Sequence, residues 1–340
     1  MTDPDEDFAP PAPRPRSRRL RKFALWVLGV TGAIVLVLFL GRWQAGRLGE
    51  RQLRAETARL DADDPDWTFD AILAERQKST PPSAENAATA VLAVAERVPD
   101  EWLKWRNSEE ATKGWPRRPD NRLPPQDTID AFRKRAAETH VVRGEAVRLR
   151  EKRAGGFPLV VPADPIAITL PHLEKCRHVL SLLQYDAHLA ALDKNPNRGV
   201  SAARAALAVS RAIGDEPLLV SQLVRIAAAV LAAQTATQVI AWGEPTEGLA
   251  ELQAELLAEA DVPFFRIGMR GERGALHRVF TGLADGTIPA EHWFGYAGIN
   301  APGPEHYAAF RAYRPLMAGD HAKALELSSK FVEAAKLPHH

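Results

Sequence analysis

The sequence predicts an all-α protein in which an N-terminal transmembrane helix precedes an antiparallel helical bundle or a solenoid-like domain of helical hairpins. Three observations support this fold class. Residues 23–41 form a run without a single charged side chain. Beyond it, apolar residues recur at helical spacing in segments that begin at proline or a small polar residue and end at glycine or aspartate. Alanine, leucine, arginine and glutamate are abundant, whereas aromatic residues make up only 7% of the chain.

The uncharged run is long enough to cross a bilayer. At about 1.5 Å per residue it extends about 28 Å, close to the roughly 30 Å thickness of the hydrocarbon core. Trp26 and Trp43 lie near its ends, where indole rings favour the membrane interface. A cleaved signal peptide would have a shorter apolar region followed by small residues, whereas Arg42 and Trp43 follow this one. We therefore predict an uncleaved signal anchor.

The segments on either side of the anchor have their own predicted roles. Residues 1–22 lack apolar periodicity and predict a disordered basic tail. Residues 42–60 contain no helix breaker, so they predict a helical stalk that continues the anchor and holds the body away from the bilayer. Six basic residues precede the anchor and four follow it closely, which favours a cytoplasmic N-terminus and an extracytoplasmic body. The spacing of Gly29 and Ala33 would allow a weak homodimer through the membrane helix.

The rest of the chain divides into two predicted regions. Residues 61–165 form an N-terminal helical region with proline-rich loops, in which Ser83 is the expected N-cap of an alanine-rich helix. Its helices are expected at residues 67–76, 84–98, 100–105 and 128–153, with a loop at 114–125 and an extended connector, containing at most one short strand, at 157–169. Residues 166–340 form a C-terminal helical domain, with helices expected at 171–193, 196–213, 217–242, 246–260, 263–284 and 320–336 and a looser aromatic segment at 288–313.

Two resemblances accompany this order of elements. The hairpin around Ala191, Ala203, Leu207 and Ser210 resembles a single tetratricopeptide-type repeat, although no 34-residue period recurs. More widely, DPDWTFDAI at 64–72, SAENAA at 83–88, DEPLLVSQLVRIA at 215–227, GERGALHRVF at 271–280 and FVEAAKLP at 331–338 resemble a family of uncharacterised bacterial single-pass membrane-anchored helical proteins. This resemblance implies an all-α body anchored in the bacterial inner membrane, and it implies no activity.

Charge and cysteine content restrict the partners. The six bases and four acids before the anchor contribute a charge of +2, and the remaining 38 basic and 39 acidic residues give the body a charge of −1, so the whole chain carries +1 and the body is near-neutral. Such a body gives no reason to expect nucleic acid as a partner. Cys176 is the only cysteine, so no disulfide forms within the chain. We expect the lipid bilayer as one partner and a protein or an envelope polymer as another.

The most informative candidate site is a pair of opposite charges. Arg225 lies in a segment that is apolar almost all round, and Glu272 lies within a stripe of large apolar residues on another helix. Because an unpaired buried charge is very costly, we predict an ion pair between Arg225 and Glu272. Its role is either structural or, with His277 nearby, that of a ligand-binding or catalytic carboxylate.

Other candidate sites carry less information. Trp293 and Tyr296 belong to the aromatic segment and are either pocket residues or buried under the last helix. Cys176 shares a helical face with leucines, whereas His178 and His188 point away from it, so we predict a buried thiol and no metal site. The sequence contains no Walker loop, Rossmann glycine fingerprint, HExxH, GxSxG or CxxC motif, so no cofactor is predicted.

Two functions remain open on the sequence. The first is a membrane-tethered extracytoplasmic interaction or scaffold protein that uses a helical groove. The second is an extracytoplasmic cell-envelope enzyme in which Glu272 acts as the acid or base. Because no nucleophile or metal constellation is recognisable, the first is preferred.

Overall fold

The computed structural model describes residues 17–112 and 121–337, and throughout these ranges every regular element is helical. The predicted all-α class is confirmed. The connector at 157–169 forms only a 3-10 turn, Pro165–Ala167, in the part of the chain that is described. Residues 1–16, most of the predicted loop at 114–125, and residues 338–340 lie outside the described residues.

The N-terminal helix α1 spans Ser17–Asp63, a length of 47 residues. It includes residues 17–22, which we predicted to be disordered, because no helix breaker separates them from the apolar run. The side chains of residues 21–41 are all exposed. This exposed apolar segment is the candidate membrane anchor.

The C-terminal part of α1 is not a free stalk, which corrects the sequence prediction. A Cβ atom on Gly46 would lie 2.9 Å from the carbonyl oxygen of Pro315, and one on Gly49 would lie 2.6 Å from the backbone nitrogen of Gly319. The two glycines therefore let the backbone of α1 pack directly on the start of the last helix, and the body begins within a few residues of the apolar run.

Short helices follow α1 in the region we predicted to be rich in loops. They are α2 (Phe69–Ser79), α3 (Ala87–Ala95), α4 (Asp100–Arg106), α5 (Glu109–Thr112), α6 (Gln126–Ala137) and α7 (His140–Val147), followed by a 3-10 turn (Arg148–Glu151). Asn86, and not Ser83, caps α3, because its amide side chain also bonds the backbone of Gly156 across the fold. The long helix expected at 128–153 breaks at Thr139, whose hydroxyl donates to the carbonyl of Ala136 and competes with the helical backbone.

Longer helices make up the C-terminal region, close to their predicted bounds. They are α8 (Pro171–Leu192), α9 (Pro196–Ile213), α10 (Leu219–Trp242), α11 (Leu249–Ala260), α12 (Phe264–Asp285), α13 (Ala290–Tyr296), α14 (Pro304–Tyr313) and α15 (Met317–Ala334). Proline starts α8 and α9, where its missing N–H would be unpaired in any case. Gly214 and Gly286, both with positive φ, follow the ends of α9 and α12.

The core is centred on α9. This helix is rich in alanine, and almost every residue from Gly199 to Ile213 is buried. Small side chains let α8 and α10 approach α9 closely, and α3 packs against both α8 and α9. One cluster of buried residues runs from Ala87 to Leu252, so the boundary that we predicted near residue 165 lies inside a shared core. The hairpin resembling a tetratricopeptide repeat is α8 and α9, and Ala191, Ala203, Leu207 and Ser210 are buried in it.

Candidate functional site

Arg225 is buried, as its apolar surroundings predicted, but its partner is Glu259 and not Glu272. Its Nε lies 2.8 Å from Oε1 of Glu259 and its Nη2 lies 3.2 Å from Oε2, so the guanidinium and the carboxylate form a two-point contact. The two side chains are 7% and 4% exposed. Arg225 also contacts the Asp215 carboxylate at 3.2 Å and the Gly214 carbonyl at 3.0 Å. The positive charge of Arg225 is therefore paired mainly with a carboxylate at the end of α11, a partner that the sequence pattern did not indicate.

Glu272 is exposed and accepts a hydrogen bond from the backbone N–H of Leu219 at 3.0 Å. The sequence prediction failed because α12 buries its glycine face. A Cβ atom on Gly271 would lie 1.9 Å from the carbonyl oxygen of Pro217, and one on Gly274 would lie 2.7 Å from the backbone nitrogen of Phe69. Direct backbone contact turns the first part of the helix so that Phe265 on the large apolar stripe is 38% exposed, whereas Val279 and Leu283 further along the stripe are buried.

The turn between α9 and α10 is held by buried polar groups. Glu216 is fully buried, and its carboxylate contacts Nε2 of His172 at 3.0 Å and accepts a hydrogen bond from the Ser221 hydroxyl. The amide of Gln222 donates to the backbone carbonyls of Gly214 and Glu216. These bonds fix the direction of Asp215, which points outward into a cleft.

That cleft runs between α2, the ends of α9 and α10, and α12. An outer cavity of about 430 Å³ and an inner chamber of about 160 Å³ share Arg76, Ser79 and Asp215 in their linings. We call the two together the arginine cleft, because six arginines line it: Arg76, Arg153, Arg211, Arg225, Arg266 and Arg270. In the lining of the inner chamber, Asp215 is the acidic side chain beside four of these arginines. Behind the lining, Arg225 pairs with Glu259, and the Arg211 guanidinium lies 3.7 Å from the carboxylate of Glu255.

Two arginines of the inner chamber are incompletely satisfied. The Nε atoms of Arg76 and Arg211 are buried and have no hydrogen-bond partner among the described residues. Arg76 donates from Nη2 to the carbonyl of Phe157 at 2.8 Å, and its nearest carboxylate, that of Glu216, lies 3.6 Å away. Burial lowers the pKa of both guanidinium groups, and neighbouring carboxylates offset this only in part. The chamber thus holds cationic groups that an anion would stabilise.

Close backbone packing explains why the inner chamber forms. Gly214 has a φ of +62°, and a Cβ atom there would lie 2.2 Å from the carbonyl oxygen of Gly155. This contact places the exposed Arg153, two residues before Gly155, opposite Arg211 on the last turn of α9. Only glycine at position 214 allows both the left-handed conformation and the approach.

His277 lies outside the arginine cleft, in a second polar cluster beneath the end of α1. Its Nδ1 is 2.9 Å from Nε2 of His321 on α15, and its ring packs on Trp67 with the centroids 4.6 Å apart. Burial lowers the pKa of both histidines, that of His321 to about 3. Both rings are therefore neutral at pH 7. Glu272 and His277 line neither cavity of the cleft, so the combination expected for an acid or base site is not assembled there.

The aromatic segment is largely packed against itself. Trp293 is half-buried and stacks on Tyr313 with ring centroids 5.6 Å apart, while Phe294 and Phe310 are buried beneath it. Tyr296 is 41% exposed and donates its hydroxyl to Asp164. The structure therefore places Trp293 in a packing role and Tyr296 in a contact that fixes the connector before α8.

Cys176 is a buried thiol on α8, in agreement with its apolar helical face. Burial raises its pKa to about 12, so it is protonated and unreactive at neutral pH. The neighbouring His172 belongs to the Glu216 network, and His178 bonds Glu174 within the same helix.

The important residues that sequence reasoning missed are Glu259, Arg76 and Arg211. For Arg211 the sequence offered one signal, its position in the last turn of a helix before Gly214, where basic side chains are favoured. Glu259 is one of several acids on α11, and nothing in that helix distinguishes the one that is buried.

Comparisons with protein-family models, curated proteins and solved structures give no match for this chain. The resemblance to bacterial membrane-anchored helical proteins therefore stays a prediction.

Proposed function

We propose that this chain is a membrane-tethered extracytoplasmic binding protein that holds an anionic group of its partner in the arginine cleft. The observation that carries the proposal is that two arginines at the inner chamber, Arg76 and Arg211, each have a buried Nε without a hydrogen-bond partner among the described residues. An unpartnered buried donor is costly, and a phosphate or carboxylate oxygen would remove that cost.

The size of the cleft indicates what part of a partner enters. The inner chamber of about 160 Å³ equals the volume of about five water molecules at roughly 30 Å³ each, enough for one phosphate or carboxylate group. The outer cavity of about 430 Å³ is within the range of small-molecule sites. We expect an acidic head in the inner chamber and the rest of the ligand, a side chain or one unit of an envelope polymer, in the outer cavity.

The tether supports a function at a membrane surface. The apolar segment of α1 is exposed over its whole length and leads without a break into the helix that packs on α15. Because six basic residues precede the apolar segment and four follow it, we propose that the N-terminus lies in the cytoplasm and the body outside the inner membrane. A Cβ atom on Gly29 would meet nothing within 4 Å, so that face of α1 is open to the homodimer proposed through Gly29 and Ala33.

The alternative is an enzyme that uses Glu272 as acid or base. Glu272 is exposed, bonds a backbone N–H, and lies outside the arginine cleft. An exposed carboxylate outside the cavities of the cleft has neither of these pockets beside it to hold a substrate. We therefore prefer binding.

The test is affinity capture from solubilised membranes with the full chain as bait, followed by elution with inorganic phosphate. We expect a partner that is retained by the unaltered chain and released by phosphate. Arg211→Gln should weaken retention at least tenfold, because a lost charge-assisted hydrogen bond is worth about 1.5–3 kcal/mol. Arg153→Gln, at an exposed position, repeats the test without risk to the fold.

The matched control is Arg97→Gln, which removes the same charge from a surface ion pair with Glu145, away from the cleft. It should leave retention unchanged. Equal retention by the unaltered chain, Arg211→Gln and Arg153→Gln would refute the arginine cleft as the binding site.

A further inference from the structure

The body touches α1 immediately beyond its apolar run. The Arg42 guanidinium donates to the backbone carbonyl of Ala312, at the end of α14. Gly46 and Gly49 then pack against the backbone of residues 315–319. The 3-10 turn Arg314–Leu316 and the end of α14 are therefore the parts of the body that lie beside the exit of the apolar helix.

The rise of the helix gives the depth of this contact. Arg42 and Gly46 lie about 1.5 and 7.5 Å along the axis beyond Gly41, at roughly 1.5 Å per residue. The headgroup layer on each side of a bilayer is about 5–8 Å thick, because the total thickness of about 40–45 Å exceeds the hydrocarbon core of about 30 Å. With the apolar run in the hydrocarbon, the end of α14 lies at the level of the headgroups.

The side chains at this level fit that environment. Trp43 is 50% exposed, and the Arg47 guanidinium lies 3.9 Å from its ring centroid. Residues 42–51 and 311–320 contain five arginines and two acids, Glu50 and Asp320. Arg42 and Arg314 donate to backbone carbonyls of the body, whereas Arg47, Arg51 and Arg311 are exposed. Asp320 accepts a hydrogen bond from the Tyr313 hydroxyl, which shields part of its charge.

We propose that this membrane-proximal face, formed by residues 42–51 of α1 and residues 308–316, binds the headgroups of anionic phospholipids. The exposed arginines contact lipid phosphates, and Trp43 lies in the interface beside them. The face fixes the body against the bilayer, so that the distance and orientation of the arginine cleft relative to the membrane are constant. The inference rests on the membrane tether of the proposed function and is independent of ligand binding in the cleft.

The test uses the full chain, labelled with an environment-sensitive nitrobenzoxadiazole dye at Ala312→Cys or, one turn earlier, at Ala308→Cys. Both alanines are exposed, and the native Cys176 is buried and unreactive, so the label is specific. The protein is reconstituted in vesicles of phosphatidylcholine alone or mixed with phosphatidylglycerol, each containing lipids with a nitroxide on the headgroup. Flotation of the vesicles with the protein checks the tether separately.

We expect the nitroxide lipids to quench the dye at both positions, and phosphatidylglycerol to increase the quenching. Arg47→Gln together with Arg311→Gln should abolish that increase. The control is Ala258→Cys, an exposed position on α11, which packs on α9 and α10; it should not be quenched. Absence of quenching at positions 312 and 308 in protein that floats with the vesicles would overturn the proposal, as would quenching that is indifferent to phosphatidylglycerol.

Discussion

Replacing Glu259 by glutamine removes the negative charge from the buried pair with Arg225 and keeps the shape of the side chain. Arg225 is 7% exposed in its side chain, and the only other carboxylate within 4 Å of it in the described chain is Asp215, whose side chain is 63% exposed. Breaking a buried ion pair by removing one partner costs about 3–5 kcal/mol. Glutamine still accepts one hydrogen bond, so we expect a loss of about 3 kcal/mol.

Unfolding of the full chain in detergent, followed by near-ultraviolet circular dichroism, measures this loss. At about 2–4 °C per kcal/mol for a domain of this size, Glu259→Gln should lower Tm by about 6–12 °C. The control is Glu272→Gln, the same change on the exposed carboxylate that the sequence pattern had paired with Arg225. It should cost less than about 0.5 kcal/mol, as most exposed substitutions do.

A double variant separates the ion pair from other effects of the mutation. Arg225→Met combined with Glu259→Leu replaces both charges by apolar groups and should regain most of the lost stability. If Glu272→Gln proved as damaging as Glu259→Gln, the assignment of Glu259 as the partner would be refuted. If the double variant were less stable than Glu259→Gln alone, the cost would not come from an uncompensated charge.

Three further predictions, two of them with a matched control variant, test other features of the fold. Gly271→Ala should destabilise the protein by about 1–3 kcal/mol, because its Cβ atom would lie 1.9 Å from a carbonyl oxygen of the α9–α10 turn. The control is Gly144→Ala, whose Cβ atom would meet nothing within 4 Å; it should be neutral or stabilising in the same denaturation assay. The folded-state pKa of His321, about 3, lies below its ordinary value, so between the two values the unfolded chain binds a proton and the native state does not. The free energy of unfolding should therefore fall as pH drops below about 6.5, by up to about 1.4 kcal/mol per pH unit. In His321→Gln, the slope of unfolding free energy against pH should be smaller by about one proton. Gly49→Leu should separate α1 from α15 and raise the rate of backbone hydrogen exchange in both helices. The control, Gly29→Leu, should leave hydrogen exchange unchanged and instead weaken any cross-linked dimer. Normal hydrogen exchange in Gly49→Leu would contradict the packing described for α1.

Helix positions were largely predictable because their signals are local. The bounds of α9 agree with the prediction at both ends, since Pro196 starts the helix and Gly214 follows its last residue. The predicted helix at 128–153 was wrong because it is divided between Ala137 and His140. There the Thr139 hydroxyl and the Arg143 guanidinium both donate to the carbonyl of Ala136, and the sequence pattern did not indicate these bonds. The N-cap of α3 moved from Ser83 to Asn86 because Gly156, distant in sequence, bonds the asparagine side chain.

The candidate site was predictable only in part. That Arg225 would be buried and would need a carboxylate followed from its apolar segment. Which carboxylate reaches it depends on the rotation and separation of α11 and α12, and those are set by contacts between backbones. The periodicity of α12 indicated a face of large residues, but its glycines allowed a closer contact on another face. The arginine cleft draws its lining from α2, α9, α10, α12 and residues 153–155, so no single segment of sequence contains its signal.

The sequence by itself determined the uncharged run of the candidate anchor, the all-α class and the approximate ends of most helices, because hydrophobic period, proline and glycine act within a few residues of their own position. Only the tertiary structure decided that the segment after the anchor packs on α15 instead of standing free, that Arg225 pairs with Glu259, and that Arg76 and Arg211 share one chamber. The physical reason is the same in each case. A helical period fixes which side chains share a face, but the partner of that face is chosen by how closely two backbones can approach, and residues far apart in the chain set that distance.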